Sequence, residues 1–269
     1  MRTPHRPLTA YYQKEADRPG YVRHLFDRTA ADYDRVERAM ALGSGSWYRR
    51  RALQRAGLKA GMRVLDIGTG TGLTAREAFG VVGPSGEVTG VDPSTGMMER
   101  AKVPPGVLLV GGTAEAIPAP AGRADFVSMG YALRHIADLS AAFGEFMRVL
   151  APGGRLCLLE ITSPHGRPSR WLLKAYMCTV VPWIARCMTA HRDTTELMRY
   201  CWDTIEACVD PGLILDALCE AGFVEVYRHV ELGIFSEYCA LKPLSAPAGC
   251  AAASAGAAGP ATEDGEESR

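Results

Sequence analysis

Between residues 62 and 160 the chain alternates short apolar runs with stretches of helical period. MRVLDI (62–67), GEVTGVD (86–92), GVLLVGG (106–112), ADFVSMG (124–130) and GRLCLLEI (154–161) are five strand candidates. Helices fit between them at 72–80, 94–101 and 137–150, the last closed by the stop signal Ala151-Pro152-Gly153-Gly154. Upstream, 21–57 carries helical patterning through Val22, Leu25, Phe26, Tyr33, Val36, Trp47 and Leu53. Downstream, 161–210 is helical and apolar-rich and breaks the alternation. A helix at 211–221 then leads through Ala221-Gly222 into two strands, 223–229 and 232–241, paired most simply as an antiparallel hairpin.

Alternating β and α at these spacings predicts an α/β fold, a Rossmann-like doubly wound, mostly parallel sheet with helices on both faces. N-terminal helices precede the sheet, and 161–210 forms a helical lid over the crevice at the carboxyl ends of the strands. Residues 1–20 read as a loose N-terminal arm and 21–244 as the ordered domain. The tail 245–269, poor in large apolar residues and acidic at its end, reads as disordered. In such sheets ligands bind where the strand order reverses. That rule gathers the glycine-rich turn after the first strand, Asp92, Thr113 to Glu115, and Gly130 to His135 into one crevice.

Composition narrows the classes of function. Lys plus Arg balances Asp plus Glu at 30 each, so no net field favours nucleic acid. The start of the chain lacks the apolar core of a secretory signal. The eight cysteines form no CxxC pair and no Cys/His cluster has metal-ligand spacing, which reads as reduced thiols in a cytoplasmic protein without a metal site. WLLKAYMCTVVPWIARCMTA (171–190) is apolar, but Lys174, Pro182 and Arg186 interrupt it. It reads as a lid helix that touches a membrane surface at most, and not as a span.

The chemistry begins at VLDIGTGTG (64–72). Glycines 68, 70 and 72 let a ligand approach the backbone closely, yet Asp66 stands beside them, and a carboxylate there repels a pyrophosphate. It suits an ammonium group instead. Asp92 ends the next strand, where a ribose diol needs an acceptor. S-adenosylmethionine carries an ammonium, a sulfonium and a ribose diol but no phosphate, and so fits better than NAD. A structural reading of Asp66 stays open beside this one: the carboxylate caps the following helix or ties down the loop.

FDRTAADYDRV (26–36), VLDIGTGTG, VDPSTGMMERA (91–101), GYALRHIADLSAAFGEFMRVLAPGGRLCLLEITSP (130–164), RYCWDTIEACVDP (199–211), AGFVEV (221–226) and LGIF (232–235) resemble the class I methyltransferases. More closely they resemble the UbiE family of ubiquinone/menaquinone C-methyltransferases, over roughly residues 21–243. The resemblance implies S-adenosyl-L-methionine as cofactor, with Asp66, Gly68, Thr69, Gly70 and Gly72 around its methionine part. Asp92 and Pro93 would sit at the ribose, Met97 or Met98 at the adenine, and Thr113, Ala114 and Glu115 along the adenine edge. Met129 and Gly130 would close the floor, and Tyr33 would close over the cofactor. Three positions depart from the family pattern: Thr113 replaces an Asp, His135 an Asn, and Glu37 an Asn.

Carbon methylation of a hydroxylated ring requires the ring to become phenolate-like, which a fixed cation and a base promote. Arg134, following the fourth strand, is the expected cation and His135 the expected proton acceptor. An ion pair of Arg134 with Asp138 and a solvent-exposed His135 are the plain alternatives. Tyr131, Glu160 and Tyr176 are expected at a small aromatic acceptor, with Trp171, Met177, Trp183 and Met188 as a greasy lining. The leading expectation is methylation of a quinol or related ring. Tailoring of a secondary metabolite, a non-catalytic cofactor-binding module and an NAD-dependent oxidoreductase stand as alternatives, and a homodimer is compatible with all of them.

Overall fold

A computed structural model describes residues 2–164, 166–188 and 193–244, without the side chains of residues 185–188. Two N-terminal helices, α1 (Arg18–Met40) and α2 (Gly45–Arg55), precede β1 (Arg63–Ile67), α3 (Leu73–Val82), β2 (Glu87–Asp92), α4 (Thr95–Glu99) and β3 (Val107–Gly111). Then come β4 (Ala124–Gly130), α5 (Leu139–Val149) and β5 (Leu150–Ile161). The segment expected to be a lid comprises α6 (Arg167–Ala175), a π-helical turn (Tyr176–Val180), α7 (Val181–Met188) and α8 (Asp193–Ala207), and none of its described residues lines the cavity at the carboxyl ends of the strands. The chain ends in α9 (Pro211–Glu220), β6 (Val224–Glu231) and β7 (Phe235–Leu241).

Local chemistry accounts for these boundaries. Ser94, Asp138 and Asp210 cap α4, α5 and α9, their side chains accepting from the N–H groups of Met97, Ser140 and Gly212. Pro211 occupies the first turn of α9, where its missing N–H costs nothing. β5 starts four residues earlier than the sequence indicates. Leu150 pairs with Ala124, the chain bulges over Pro152 and Gly153, and regular pairing resumes at Arg155 with Phe126. Proline cannot donate to a ladder and Gly153 sits at φ +75°, so the stop signal becomes a bulge inside a strand.

The seven strands run in the order β3-β2-β1-β4-β5-β7-β6, parallel through β5, with β6 and β7 as the expected antiparallel hairpin. Strand order reverses between β1 and β4. Alternation along β5 sends Leu156 and Leu158 to the face covered by α5 and α9, and Cys157 and Leu159 to the face covered by α2 and α3. A third core joins the N-terminal helix to the lid through Leu25, Val36, Met177, Val181, Leu197 and Tyr200.

Residues 2–20 are tied to the domain and do not form a loose arm. Val209 N–H donates to Pro4 and Leu139 N–H to Arg2, and His5 bridges Cys208. Arg18 is fully buried, donating to the carbonyls of Ile136 and His5 and to the Tyr12 hydroxyl, with Glu15 as its ion-pair partner. Sequence missed this strap because its partners lie more than a hundred residues away. The tail 245–269 falls outside the described residues. Among the described residues, no helix is long and apolar enough to cross a membrane, and no cluster of His, Cys, Asp and Glu has the geometry to hold a metal.

Candidate active site

A cavity opens at the reversal point. Its floor is the loop Gly68–Thr71 with Leu73 and Thr74 of α3, and its sides are Asp92–Ser94 with Met97 and Gly130–Ala132 with His135. Val22, Arg23, Phe26 and Tyr33 of α1, with Arg49 of α2, form the roof. Gly68, Gly70 and Gly72 all have positive φ, at +66°, +55° and +81°, which L side chains rarely adopt. A Cβ on Gly68 or Gly72 would also strike Ala132 or Val103, so the loop keeps its bare backbone towards the cavity.

Asp92 is built into this loop. Its two oxygens accept from Gly70 N–H at 2.7 Å and Ser94 N–H at 2.8 Å, which leaves outer lone pairs for a ligand. Burial raises its pKa to about 6, against the opposing pull of those two donors and helped by neighbouring Asp27. The arrangement suits a diol, whose hydroxyls would favour the ionised carboxylate.

Asp66 has a different job from the ammonium contact expected of it. It is fully buried and does not line the cavity. Its oxygens accept from Thr69 Oγ1 at 2.7 Å and Ser128 Oγ at 2.6 Å. Asp66 and Ser128 are partners in the β1–β4 register, so their side chains emerge together on one face. The alternative reading holds: Asp66 ties the glycine loop to β4. Burial raises its pKa to about 6 as well, opposed by those hydroxyls.

The other expected residues divide sharply. Tyr33, Thr69, Pro93, Met97, Gly130, Tyr131 and His135 meet at the cavity. Thr113, Ala114 and Glu115 do not line it: Thr113 is exposed, Ala114 lies in the core, and Glu115 accepts from the N–H groups of Ala137 and Asp138. Met129 is core, one residue before the cavity floor. Tyr176 donates to the Met40 carbonyl at 2.7 Å, pinning the lid to α1. Met177 is buried in the third core, whereas Trp171 and Trp183 are 70% and 66% exposed. Met188 carries no described side chain.

Arg134 is neither the cavity's cation nor the partner of Asp138. It is buried beside Thr204, to whose Oγ1 its Nε donates at 3.2 Å, and it forms an ion pair with Glu160, itself fully buried at the end of β5. Glu160 is thereby withdrawn from any substrate. His135 does reach the cavity. Its ring stacks on Tyr200 at 5.6 Å and meets the edge of Phe26 at 5.2 Å, and Nδ1 has no partner. Burial, with the Arg134 and Arg18 guanidinium groups nearby, lowers its pKa well below the ordinary value and keeps the imidazole neutral.

Sequence reasoning overlooked the N-terminal carboxylates. Asp27 accepts from Ser94 Oγ at 2.5 Å and Gly96 N–H at 3.0 Å, and Asp34 accepts from Thr71 Oγ1 at 2.5 Å, fastening α1 over the site. Both stand in FDRTAADYDRV, a segment singled out above without a role for either. Arg49 also went unnoticed, because nothing in its own neighbourhood points across to the cavity.

The model of the ubiE/COQ5 methyltransferase family matches residues 12–242. The chain belongs to that family. A ubiquinone/menaquinone biosynthesis C-methyltransferase UbiE of Pseudomonas paraeruginosa is 30% identical over 237 residues, covering 85% of this chain and 91% of the relative. The protein of the same name from Shewanella pealeana is 30% identical over 234 residues, covering 84% and 91%. Among solved structures, a SAM-dependent methyltransferase of Thermotoga maritima, described as a possible histamine N-methyltransferase, aligns with a TM-score of 0.57 at 21% identity, over 81% of this chain and 98% of its own. A phosphoethanolamine N-methyltransferase of Haemonchus contortus, solved with S-adenosyl-L-methionine, aligns with a TM-score of 0.53 at 18% identity, over 73% and 52%. This family member is therefore an S-adenosylmethionine-dependent methyltransferase with the class I fold, as the sequence indicated. The bare glycine loop and Asp92 fit the cofactor; the donor set of the Asp66 carboxylate shows that it serves the loop.

Proposed function

We propose that this methyltransferase acts at a carbon of a hydroxylated aromatic ring, a quinol or a smaller phenolic. One observation carries the reading: a neutral imidazole, its Nδ1 unpartnered, lines with the Phe26, Tyr33 and Tyr131 rings the cavity that holds the glycine loop and Asp92, while Tyr200 backs it from the core. The aromatic walls suit a flat ring, and the imidazole suits its hydroxyl. The names of the Pseudomonas and Shewanella relatives support carbon as the methylated atom.

The bound cofactor supplies the electrophilic methyl group. The residues of this chain do the remainder. Asp92 and the glycine loop fix the donor, the roof of α1 excludes water, and His135 accepts the hydrogen bond of the acceptor hydroxyl. As that proton leaves, electron density reaches the ortho carbon, which bonds to the methyl as the carbon–sulfur bond breaks with its pair kept on sulfur. The ring proton then departs, aromaticity returns and the ring oxygen regains a proton, so one methyl is gained for one net proton released.

Turnover of labelled S-adenosylmethionine with a demethylated prenyl quinol and with short phenolics tests this. A product methylated on carbon supports the reading, and methylation only on oxygen or nitrogen overturns it. Turnover with short phenolics alone favours tailoring of a small metabolite over quinone biosynthesis.

The same reading takes the protein as cytoplasmic, with the lid against a membrane surface where a prenylated acceptor resides. Trp171, Leu172, Val180 and Trp183 are exposed on the lid, beside Arg167, Arg170 and Lys174. Interfacial tryptophans and basic side chains suit an anionic bilayer. Flotation with phosphatidylglycerol vesicles should carry the protein upwards, and Trp171→Ser with Trp183→Ser should abolish it. No flotation of the unaltered chain rejects membrane contact.

A further inference from the structure

The reaction proposed above needs a fixed positive charge beside the acceptor oxygen, and Arg134 is not available for it. Of the residues lining the cavity, Arg23 and Arg49 carry guanidinium groups. Arg23 is exposed on α1, where water screens its charge. Arg49 is 4% exposed. Its Nη2 pairs with Glu37 at 2.7 Å, its guanidinium lies 5.2 Å from the centre of the Tyr131 ring, and its Nε has no partner.

Three features suggest that this placement serves a ligand. A buried guanidinium normally has its donors satisfied, and this one does not. Its platform, Tyr131, holds φ +61°, a left-handed conformation costly for a bulky residue and concentrated at functional sites. Tyr131 also follows Gly130 directly and lines the same cavity as His135. Glu37 neutralises one edge of the guanidinium and fixes its plane, while the remaining N–H groups still face an environment where charge is poorly screened.

We propose that Arg49 is the cation of the acceptor site: held by Glu37 and stacked on Tyr131, it hydrogen-bonds the acceptor's ring oxygen and stabilises it as phenolate. This rests on the reading that the acceptor is a hydroxylated ring. Arg49 is then a catalytic residue, since it touches the oxygen whose ionisation activates the ring. The hydroxyl proton leaves towards His135 or solvent, and the electron pair that it releases forms the new bond at carbon. Arg49 gives up no proton at any step, because its pKa lies above even the ordinary arginine value: the Glu37 carboxylate, with Tyr131, outweighs the opposing effect of burial.

Two readouts test the assignment, one without turnover. With S-adenosylhomocysteine bound, 4-nitrophenol is titrated spectroscopically against the full-length protein. The bound probe should ionise about one pH unit lower than in solution, Arg49→Met should erase that shift, and Arg49→Lys should restore part of it. In turnover with a phenolic acceptor, Arg49→Met should move the pH profile about one unit upwards, with S-adenosylhomocysteine affinity within about threefold of the unaltered chain. Glu37→Gln, which leaves the guanidinium in place, should move the profile the other way.

Several outcomes overturn the proposal. One is a nitrophenol that does not bind or that titrates alike in all variants. Another is loss of S-adenosylhomocysteine binding in Arg49→Met with an unmoved profile, which makes Arg49 the holder of the cofactor's carboxylate. If Arg49→Met fails to fold, an unmoved profile in Glu37→Gln decides against it. Failure of the unaltered chain to methylate any hydroxylated ring removes the parent reading instead, while the nitrophenol titration still judges Arg49.

Discussion

The two ends of the cavity are built on different principles. At the cofactor end, main chain and carboxylates do the work: bare glycines, and Asp92 held by two backbone donors. All of it comes from two consecutive strand-to-helix turns. At the proposed acceptor end, aromatic and ionic side chains converge from α1, α2 and the turn after β4, with Tyr200 of α8 backing His135. The first end depends on local geometry, and the second on long-range packing. They should therefore fail in different ways when altered.

The largest effect is expected behind the acceptor end. Arg134→Met would leave Glu160 charged, fully buried and unpaired, and should lower stability by about 3–5 kcal/mol in a urea titration. Adding Glu160→Gln should restore most of that loss. A single variant as stable as the parent would show that the pair does not hold this end together.

At the cofactor end, folding should survive and affinity should suffer. Asp92→Ala should weaken S-adenosylhomocysteine binding by about 1–3 kcal/mol in calorimetry, with a small change in melting temperature. Because the pKa of Asp92 is raised to about 6 and a diol favours the ionised form, affinity in the parent should improve as pH rises from 5 to 7. Asp92→Asn should remove that improvement.

Asp66 gives a stability signal and no binding signal. Its folded-state pKa, about 6, lies above the ordinary 3.8, so the native state holds the proton more tightly than the unfolded chain. Its stabilising contribution is fully present below about pH 4 and is lost as pH rises through about 6, a change of about 3 kcal/mol. The difference in stability between the parent and Asp66→Asn should follow that curve across pH 4 to 7, and a flat difference would contradict it. The smallest effect belongs to Thr113. Exposed and outside the cavity, Thr113→Ala should leave S-adenosylhomocysteine affinity within about twofold; a larger loss would extend the cofactor end beyond Met97.

The contrast also explains what the sequence revealed. The sheet, the hairpin, the glycine loop and Asp92 were legible because each is written in a contiguous run with its own period or turn chemistry. Asp66 was misassigned because its partner, Ser128, is fixed by strand register, 62 residues away. Arg134 was misassigned because the carboxylate that claims it ends a different strand. Arg49 and the strap of residues 2–18 were invisible for the same reason: their meaning lies in elements that touch only after the chain has closed on itself.

That strap has a consequence for the order of events during synthesis. Residues 2–5 leave the ribosome well before their backbone partners, Leu139, Cys208 and Val209. Docking closes a ring of about two hundred residues, a slow and entropically costly contact. A segment made early is thus late to lock, and it can dock only after residues 208 and 209 have been made.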